Sequence, residues 1–324
     1  LNWISMRGEN HTYMRRVVVT GGAGFIGSHL AGELADKGYN VVILDDLSTG
    51  HLDNIKDLLK RNNVSFVNGS ITDLPLLKEQ FKDTQYVFHH AASISVPEST
   101  ENPQLYNENN IAGTLNVLIA AKDNSVSKVI FASSCAVYGD TSELPITEAN
   151  LPDPLSPYAI TKLTGEYYCK IFANVYNLPT VCFRYFNVYG PRQSPESQYA
   201  AAIPKFIKKA INNESPIIYG DGEQTRDFVF IRDIVSANIL AAQSNVCGIY
   251  NVASGESVSI NEVSDSIISL TGNKLEPVFE NRRSGDIRDS AADITKAAGF
   301  GYKPEWTIEK GLKIIIAQYQ LSGK

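Results

Sequence analysis

The chain has 324 residues, a formal net charge of −6 and 43% hydrophobic residues. That length accommodates two domains, or one large α/β unit carrying a lobe, and the composition supports a substantial core. The mild acidity without a basic stripe argues against a nucleic-acid partner, and no apolar run reaches the roughly 18 residues that a membrane span needs.

Residues 1–13 are mixed and polar, with no apolar core of a secretion signal. They are expected to be an N-terminal extension, with the fold starting at Met14. Short β-branched runs then alternate with helical periodicity. Strands are expected over 16–20, 40–45, 64–68, 86–89, 128–132 and 180–184, with helices over 25–37, 52–60, 74–81, 108–123 and 158–176. Such alternation implies a parallel sheet covered on both faces. After Asn187 the pattern loosens, with helices expected over 201–212, 231–243 and 260–270 and a late strand over 248–252.

The first strand runs into Gly21-Gly22-Ala23-Gly24-Phe25-Ile26-Gly27. Glycines permit positive φ and close backbone approach, so a strand-to-helix turn of this kind can seat a pyrophosphate on a helix N-terminus. The spacing is G-x-x-G-x-x-G rather than the commoner G-x-G-x-x-G. Asp45 ends the second strand, where a carboxylate accepts a ribose diol and repels a 2′-phosphate, which favours NAD over NADP. Ala91 and Ala92 follow a further strand with small side chains where a cofactor must lie close. Asn109 and Asn110 open a helical pattern, and each can cap the helix or brace the cofactor side of the site. These features predict an α/β, Rossmann-type doubly wound parallel sheet over 14–186, with segments near 225–252 returning to it. A smaller, interleaved C-terminal α/β lobe is expected over 187–324 to hold the substrate.

Tyr158 and Lys162 lie four apart, on one face of a helix. An ammonium near a phenol favours the phenolate, so a group with a free pKa of about 10 can serve as a base. Ser134 stands upstream, and Ser133 reads as a backbone-bonding neighbour. With the glycine turn, this set implies a nicotinamide enzyme that moves a proton and a hydride at one carbon. The four cysteines, Cys135, Cys169, Cys182 and Cys247, form no C-x-x-C and read as reduced thiols of a cytoplasmic protein. His89 and His90 are adjacent on a strand and face opposite ways, so no metal site is expected.

Taken together, Thr20–Gly27, His89–Ala92, Ser133–Gly139, Tyr158–Lys162 and Arg184–Pro191 resemble the extended short-chain dehydrogenase/reductase family, and within it the UDP-hexose 4-epimerases. The resemblance runs from Met14 to the C-terminus. It implies Tyr158 as base, Lys162 on the nicotinamide ribose lowering the phenol's pKa, and Ser134 on the sugar 4-oxygen. It implies an NAD site formed by Gly21, Gly24, Phe25, Ile26, Gly27, Asp45, Ser70, Ile71, Ala91, Ala92, Asn109, Tyr158, Lys162 and Tyr185. Phe186 is implied near the nicotinamide and sugar. For a UDP-sugar it implies Ser134, Tyr158, Asn187, Ala202, Lys205, Tyr219, Arg226, Arg283, Asp286 and Ser290. Arginines suit the diphosphate because their planar fork matches its oxygens. The small Ser290 stands where some members close the sugar pocket with Tyr, which implies room for 2-acetamido sugars. Cys135-Ala136-Val137 follow Ser134 without the acid that resembles a dehydratase or decarboxylase. Two departures stand out: Ser70 replaces a usual Asp at the adenine, and Ser93 a Lys of some epimerases. A homodimer through 108–123 and 158–176 is implied. The alternatives are a UDP-glucuronate 4-epimerase, a sugar-nucleotide reductase with net redox turnover, and a catalytically idle NAD-binding sensor or scaffold.

Overall fold

The computed structural model describes residues 15–194, 202–282 and 287–322. The expected extension, 1–13, lies outside them. Seven parallel strands form the main sheet: β1 (Arg16–Thr20), β2 (Asn40–Asp45), β3 (Val64–Asn68), β4 (Thr84–His89), β5 (Lys128–Ser134), β6 (Thr180–Tyr185) and, entering late, Gly248–Val252. Before that last strand come β7 (Asn187–Tyr189), β8 (Ile217–Tyr219) and β9 (Thr225–Phe230), which makes it β10; β11 (Ser257–Ser259) and β12 (Val278–Glu280) follow. The order β10-β6-β5-β4-β1-β2-β3 reverses direction beside β1. In doubly wound sheets such a switch point opens a crevice at the C-terminal ends of the strands.

Helices cover both faces: α1 (Phe25–Asp36), α2 (Leu74–Gln80), α3 (Val96–Glu101), α4 (Pro103–Tyr106), α5 (Gly113–Asp123), α6 (Pro157–Tyr176), α7 (Ala202–Ile211), α8 (Ile231–Gln243), α9 (Ile260–Thr271), α10 (Thr295–Ala298) and α11 (Ile308–Ser322). Alternate strand residues feed two cores. Val17, Val19, Ile43 and Phe88 pack with Leu30 and Leu34 of α1 and Ile234 of α8. Val18, Val42, Val87 and Phe131 pack with Val117 of α5 and Phe172 of α6. Both sides of these strands are dry, the reason they read as continuous β-branched runs.

Three expectations change. The segment 52–60 forms two short 3-10 turns, Leu52–Asn54 and Leu58–Lys60, instead of an α-helix. Its apolar residues Leu52, Ile55 and Leu58 recur every third position, the period of a 3-10 helix. The helix expected from 108 begins as a π-turn, Asn107–Ala112, before α5. The wider turn carries Asn110 into the interior. Thr225–Phe230 does not return to the main sheet; it joins a three-stranded sheet, parallel to β7 and antiparallel to β11. The return begins with α8, which packs on α1, and ends with β10 beside β6. The short strands β7, β8, β11 and β12 had no reading in the sequence, since three-residue strands carry too little periodicity to register; the helix α11 had none either.

Candidate active site

Helix α6 starts sharply. The Ser156 hydroxyl accepts the Ala159 N–H at 3.2 Å, and Pro157 occupies the first turn. This cap presents Tyr158 and Lys162 toward the end of β5. Lys162 is 4% exposed, and its Nζ donates to the Ala132 carbonyl at 2.8 Å. The ammonium lies 5.9 Å from the centroid of the Tyr158 ring and 5.2 Å from that of Phe131. Burial brings Lys162 down to about 8. Ser134 ends β5 in extended conformation, its Oγ accepting the Ala136 N–H at 3.2 Å. Its hydroxyl lies close enough to the Tyr158 phenol to lower its pKa. Tyr158, Lys162 and Ser134 therefore meet, as expected.

The electrostatics differ from expectation in one respect. Burial pushes the Tyr158 phenol up to about 12, and the Ser134 hydroxyl opposes this. Lys162 stands over the face of the ring, and burial is the largest influence on the phenol. Protein groups by themselves leave the phenol protonated at neutral pH.

The glycine turn lies beside this cluster. Gly21 has φ +68°, and a side chain there would meet the backbone of Ala91 at 2.6 Å. A side chain on Gly27 would collide with the Gly21 carbonyl. Helix α1 begins at Gly24 with no side-chain cap and no acid in its first turn. Its N-terminal N–H groups, Phe25 and Ile26 included, are suited to an anion. Asp45 is buried with its carboxylate braced: Oδ2 accepts the Ala23 N–H at 2.9 Å and Oδ1 the Leu47 N–H at 2.8 Å. Burial raises its pKa and these bonds lower it. The turn-acid role is thus real, and each oxygen keeps a further lone pair for a ribose hydroxyl. The close glycine–alanine crossing and the bare helix start fit a dinucleotide pyrophosphate.

Other predicted cofactor residues fall into two groups. Ala91 and Ala92 lie half-buried at the crossing, and Ser70 is half-buried, its Oγ accepting from Thr72. Ile71, Tyr185 and Phe186 are instead buried in packed clusters. The Tyr185 hydroxyl accepts from Asn238 at 2.7 Å, and its ring lies parallel to His90 at 6.1 Å. Asn109 donates to the Ser93 hydroxyl at 3.0 Å. Asn110 is the stronger brace. It accepts the Ser93 N–H at 2.8 Å and donates to the Ser93 carbonyl and the Thr161 hydroxyl. Neither Asn caps a helix through its side chain.

Sequence reasoning missed two sets of polar residues. His89 bridges Thr20 at 2.8 Å and Thr114 at 2.9 Å, tying β1 to α5. Ser133 bonds a side chain, not backbone: its hydroxyl donates to Glu166 Oε1 at 2.5 Å. The available signal was spacing, since Glu166 stands four residues beyond Lys162.

On the substrate side, Asn187 Nδ2 donates to the Asp227 carbonyl at 3.3 Å. Arg226 donates to the carbonyls of Thr225 (2.7 Å), Ile287 (2.6 Å) and Arg288 (3.2 Å). It also lies near enough to lower the Cys135 thiol, which burial otherwise pushes up to about 11. The start of β9 therefore lies within electrostatic reach of the Ser134 turn. Asp227 is buried and accepts from Ser254 N and Oγ (both 2.7 Å), Gly255 N (3.0 Å) and Ala292 N (3.4 Å). Ser290 is 7% exposed, its N–H donating to the Thr225 carbonyl. Tyr219 ends β8, its carbonyl accepting from Gln224. Ala202 and Lys205 are half-buried in the first turns of α7. Arg283 and Asp286 lie outside the described residues.

A parallel sheet with this strand order, a glycine-turn helix start at its switch point and a Tyr–Lys–Ser cluster beside it define a nicotinamide dinucleotide-binding oxidoreductase-type fold. The NAD dependent epimerase/dehydratase family matches residues 17–253, and the chain belongs to it. A putative UDP-glucose 4-epimerase of Methanocaldococcus jannaschii is 41% identical over 302 residues, covering 93% of this chain and 97% of its own length. Among solved structures, a UDP-N-acetylglucosamine 4-epimerase from Methanobrevibacter ruminantium, in complex with UDP-N-acetylmuramic acid, superposes with a TM-score of 0.92. It is 43% identical, with 96% of this chain and 99% of that one covered. A Thermus thermophilus UDP-glucose 4-epimerase in complex with NAD gives a TM-score of 0.85 at 34% identity, covering 94% and 99%.

Proposed function

We propose that this chain interconverts the 4-epimers of a UDP-hexose, acting on UDP-glucose and UDP-galactose and on their 2-acetamido counterparts. The observation that carries the reading is the meeting of Tyr158, Ser134 and Lys162 beside the glycine turn. NAD, held by the glycine turn and Asp45, supplies the hydride acceptor and donor at the sugar C4 when bound. Tyr158 takes the proton of the 4-hydroxyl and later returns it. Ser134 holds the 4-oxygen and, from its place near Tyr158, favours the phenolate. Lys162, anchored on Ala132, holds the nicotinamide ribose and adds positive charge beside the ring. Proton and hydride each leave and return once, so the reaction is redox-neutral overall.

Cys135-Ala136-Val137 place no acid after Ser134, which speaks against elimination as the outcome. Ser290, small and next to Arg226 through its bond to Thr225, supports room for an acetamido group. Residues 187–324 serve mainly as the substrate lobe, with α8 and β10 given back to the main sheet. Ile160, Tyr167, Ile171 and Val175 form a stripe on α6, each at least half exposed, which supports a homodimer through this face. Cys169 and Cys182 are free and buried, in keeping with a reducing, cytoplasmic setting.

Proton NMR of the sugar ring tests the reading. Purified protein incubated with UDP-glucose and, separately, UDP-N-acetylglucosamine is expected to give the 4-epimer of each without net NADH. Ser290→Tyr should depress the acetamido reaction about tenfold relative to the other, a steric discrimination of the usual size. Epimer from UDP-glucuronate alone overturns the substrate assignment.

A further inference from the structure

Two of the last three residues of β5 are gripped by residues of one face of α6. The Ala132 carbonyl accepts from Lys162 at 2.8 Å and the Ser133 hydroxyl donates to Glu166 at 2.5 Å, while the Ser134 hydroxyl lies near enough to Tyr158 to lower its pKa. Tyr158, Lys162 and Glu166 follow one another at four-residue intervals. Glu166 is held from its other side by Arg184, through Nε at 2.9 Å and Nη2 at 2.6 Å. The pair is buried, at 1% and 3% exposure.

Arg184 lies directly opposite Ser133 in the β5–β6 register and opposite Asn251 in the β10–β6 register. Its guanidinium sits 4.5 Å above the Tyr138 ring. The Tyr138 hydroxyl donates to Asn251 at 2.6 Å. Cys135–Tyr138 is the 3-10 turn that Ser134 opens. One ion pair thus grips that turn at both ends, through Ser133 before it and Tyr138 at its close.

We propose that the buried Glu166–Arg184 pair is the positioning device for the Ser134 hydroxyl, transmitted through Ser133 and Tyr138. A buried ion pair is a poor stabiliser beside apolar packing. Directional bonds to both ends of one turn are what a hydroxyl in a reacting geometry requires. This role rests on the epimerase reading above.

The test is a double-mutant cycle read by the NMR turnover assay. Ser133→Ala should fold, keep its KM, and lose about tenfold in kcat, the worth of one hydrogen bond to a charged acceptor. Ser133→Thr, which keeps the hydroxyl, should return most of that loss. Ser133→Ala combined with Ser134→Ala should be no slower than Ser134→Ala alone, because both act through one hydroxyl. Additive losses, an unchanged kcat in Ser133→Ala, or equal losses in the Ala and Thr variants overturn the proposal. Wild-type protein that turns over no UDP-sugar overturns the epimerase reading itself, a result that the wild-type arm reads before any variant is made.

Discussion

The cofactor-facing sheet and the late lobe reach order by different means. In the sheet, the five- to seven-residue strands β1, β2, β4, β5 and β6 are largely buried on both faces, and apolar packing sets their positions. In the lobe, β7, β8, β11 and β12 have three residues each. Apolar area on such strands is small, and buried carboxylates take over the work of placing segments. Asp227 gathers Ser254, Gly255 and Ala292, and Asp233 gathers the N–H groups of Glu305 and Trp306. Where a core is thick, a polar substitution at the site should alter chemistry and leave the fold. Where carboxylates hold the chain, losing one should alter both.

The sharpest break is Tyr158→Phe. Removing the phenolic hydroxyl should cut kcat by roughly 10³-fold, within the range of a lost general base. The melting temperature should hardly move, since the ring and its packing remain. A large fall in melting temperature would erase the distinction between the two regions. Next is Gly27→Ala. Its methyl group lands on the Gly21 carbonyl, so the turn must open. We expect co-purified NAD, read by absorbance after denaturation, to be lost. Gly38→Ala meets open space, and its only penalty is the positive φ of +81°, so NAD should stay.

Asp227→Asn probes the lobe. Its amide group sets an N–H against donors that a carboxylate accepted, at a cost of about 1–3 kcal/mol. KM for the UDP-sugar should rise about tenfold with bound NAD retained. Equal loss of NAD would show that the regions are not separable. The smallest effect concerns pH. Burial pushes Asp233 from 3.8 up to about 6. The folded chain therefore binds more protons than the unfolded chain between those values. The contribution is fully present below pH 3.8 and is lost as pH rises through 6. Urea midpoints from pH 4 to 7 should fall less steeply for Asp233→Asn than for wild type.

Legibility in the sequence followed the same division. The six early strands and the helices 25–37 and 158–176 showed because each buried element repeats an apolar pattern for two turns or more. The glycine turn, Asp45 and the Tyr158–Lys162 pair showed because their spacing is local and the chemistry needs those residue types. The helix over 231–243 and the strand over 248–252 were equally plain as elements. The return of 248–252 to the large sheet was legible too, whereas 225–230, expected to return with it, joined the small sheet, since a run of apolar residues does not name its partner. The 3-10 turns of 52–60 were a misreading of period, three taken for 3.6.

The amino-acid order by itself determined the alternation of strand and helix, the glycine turn and the three residues Tyr158, Lys162 and Ser134. These depend on periodicity and short spacings, which a chain carries wherever it folds. Only the tertiary structure decided that burial raises the Tyr158 phenol, because desolvation depends on everything packed around the group. Only it brought Arg226 within electrostatic reach of Cys135, or revealed Asn110 as the brace of Ser93 and Thr161. The link from Ser133 through Glu166 to Arg184 joins two strands and a helix, and nothing in the order of residues states that those three will meet. Polar side chains declare their partners only once apolar packing has fixed where the backbone runs.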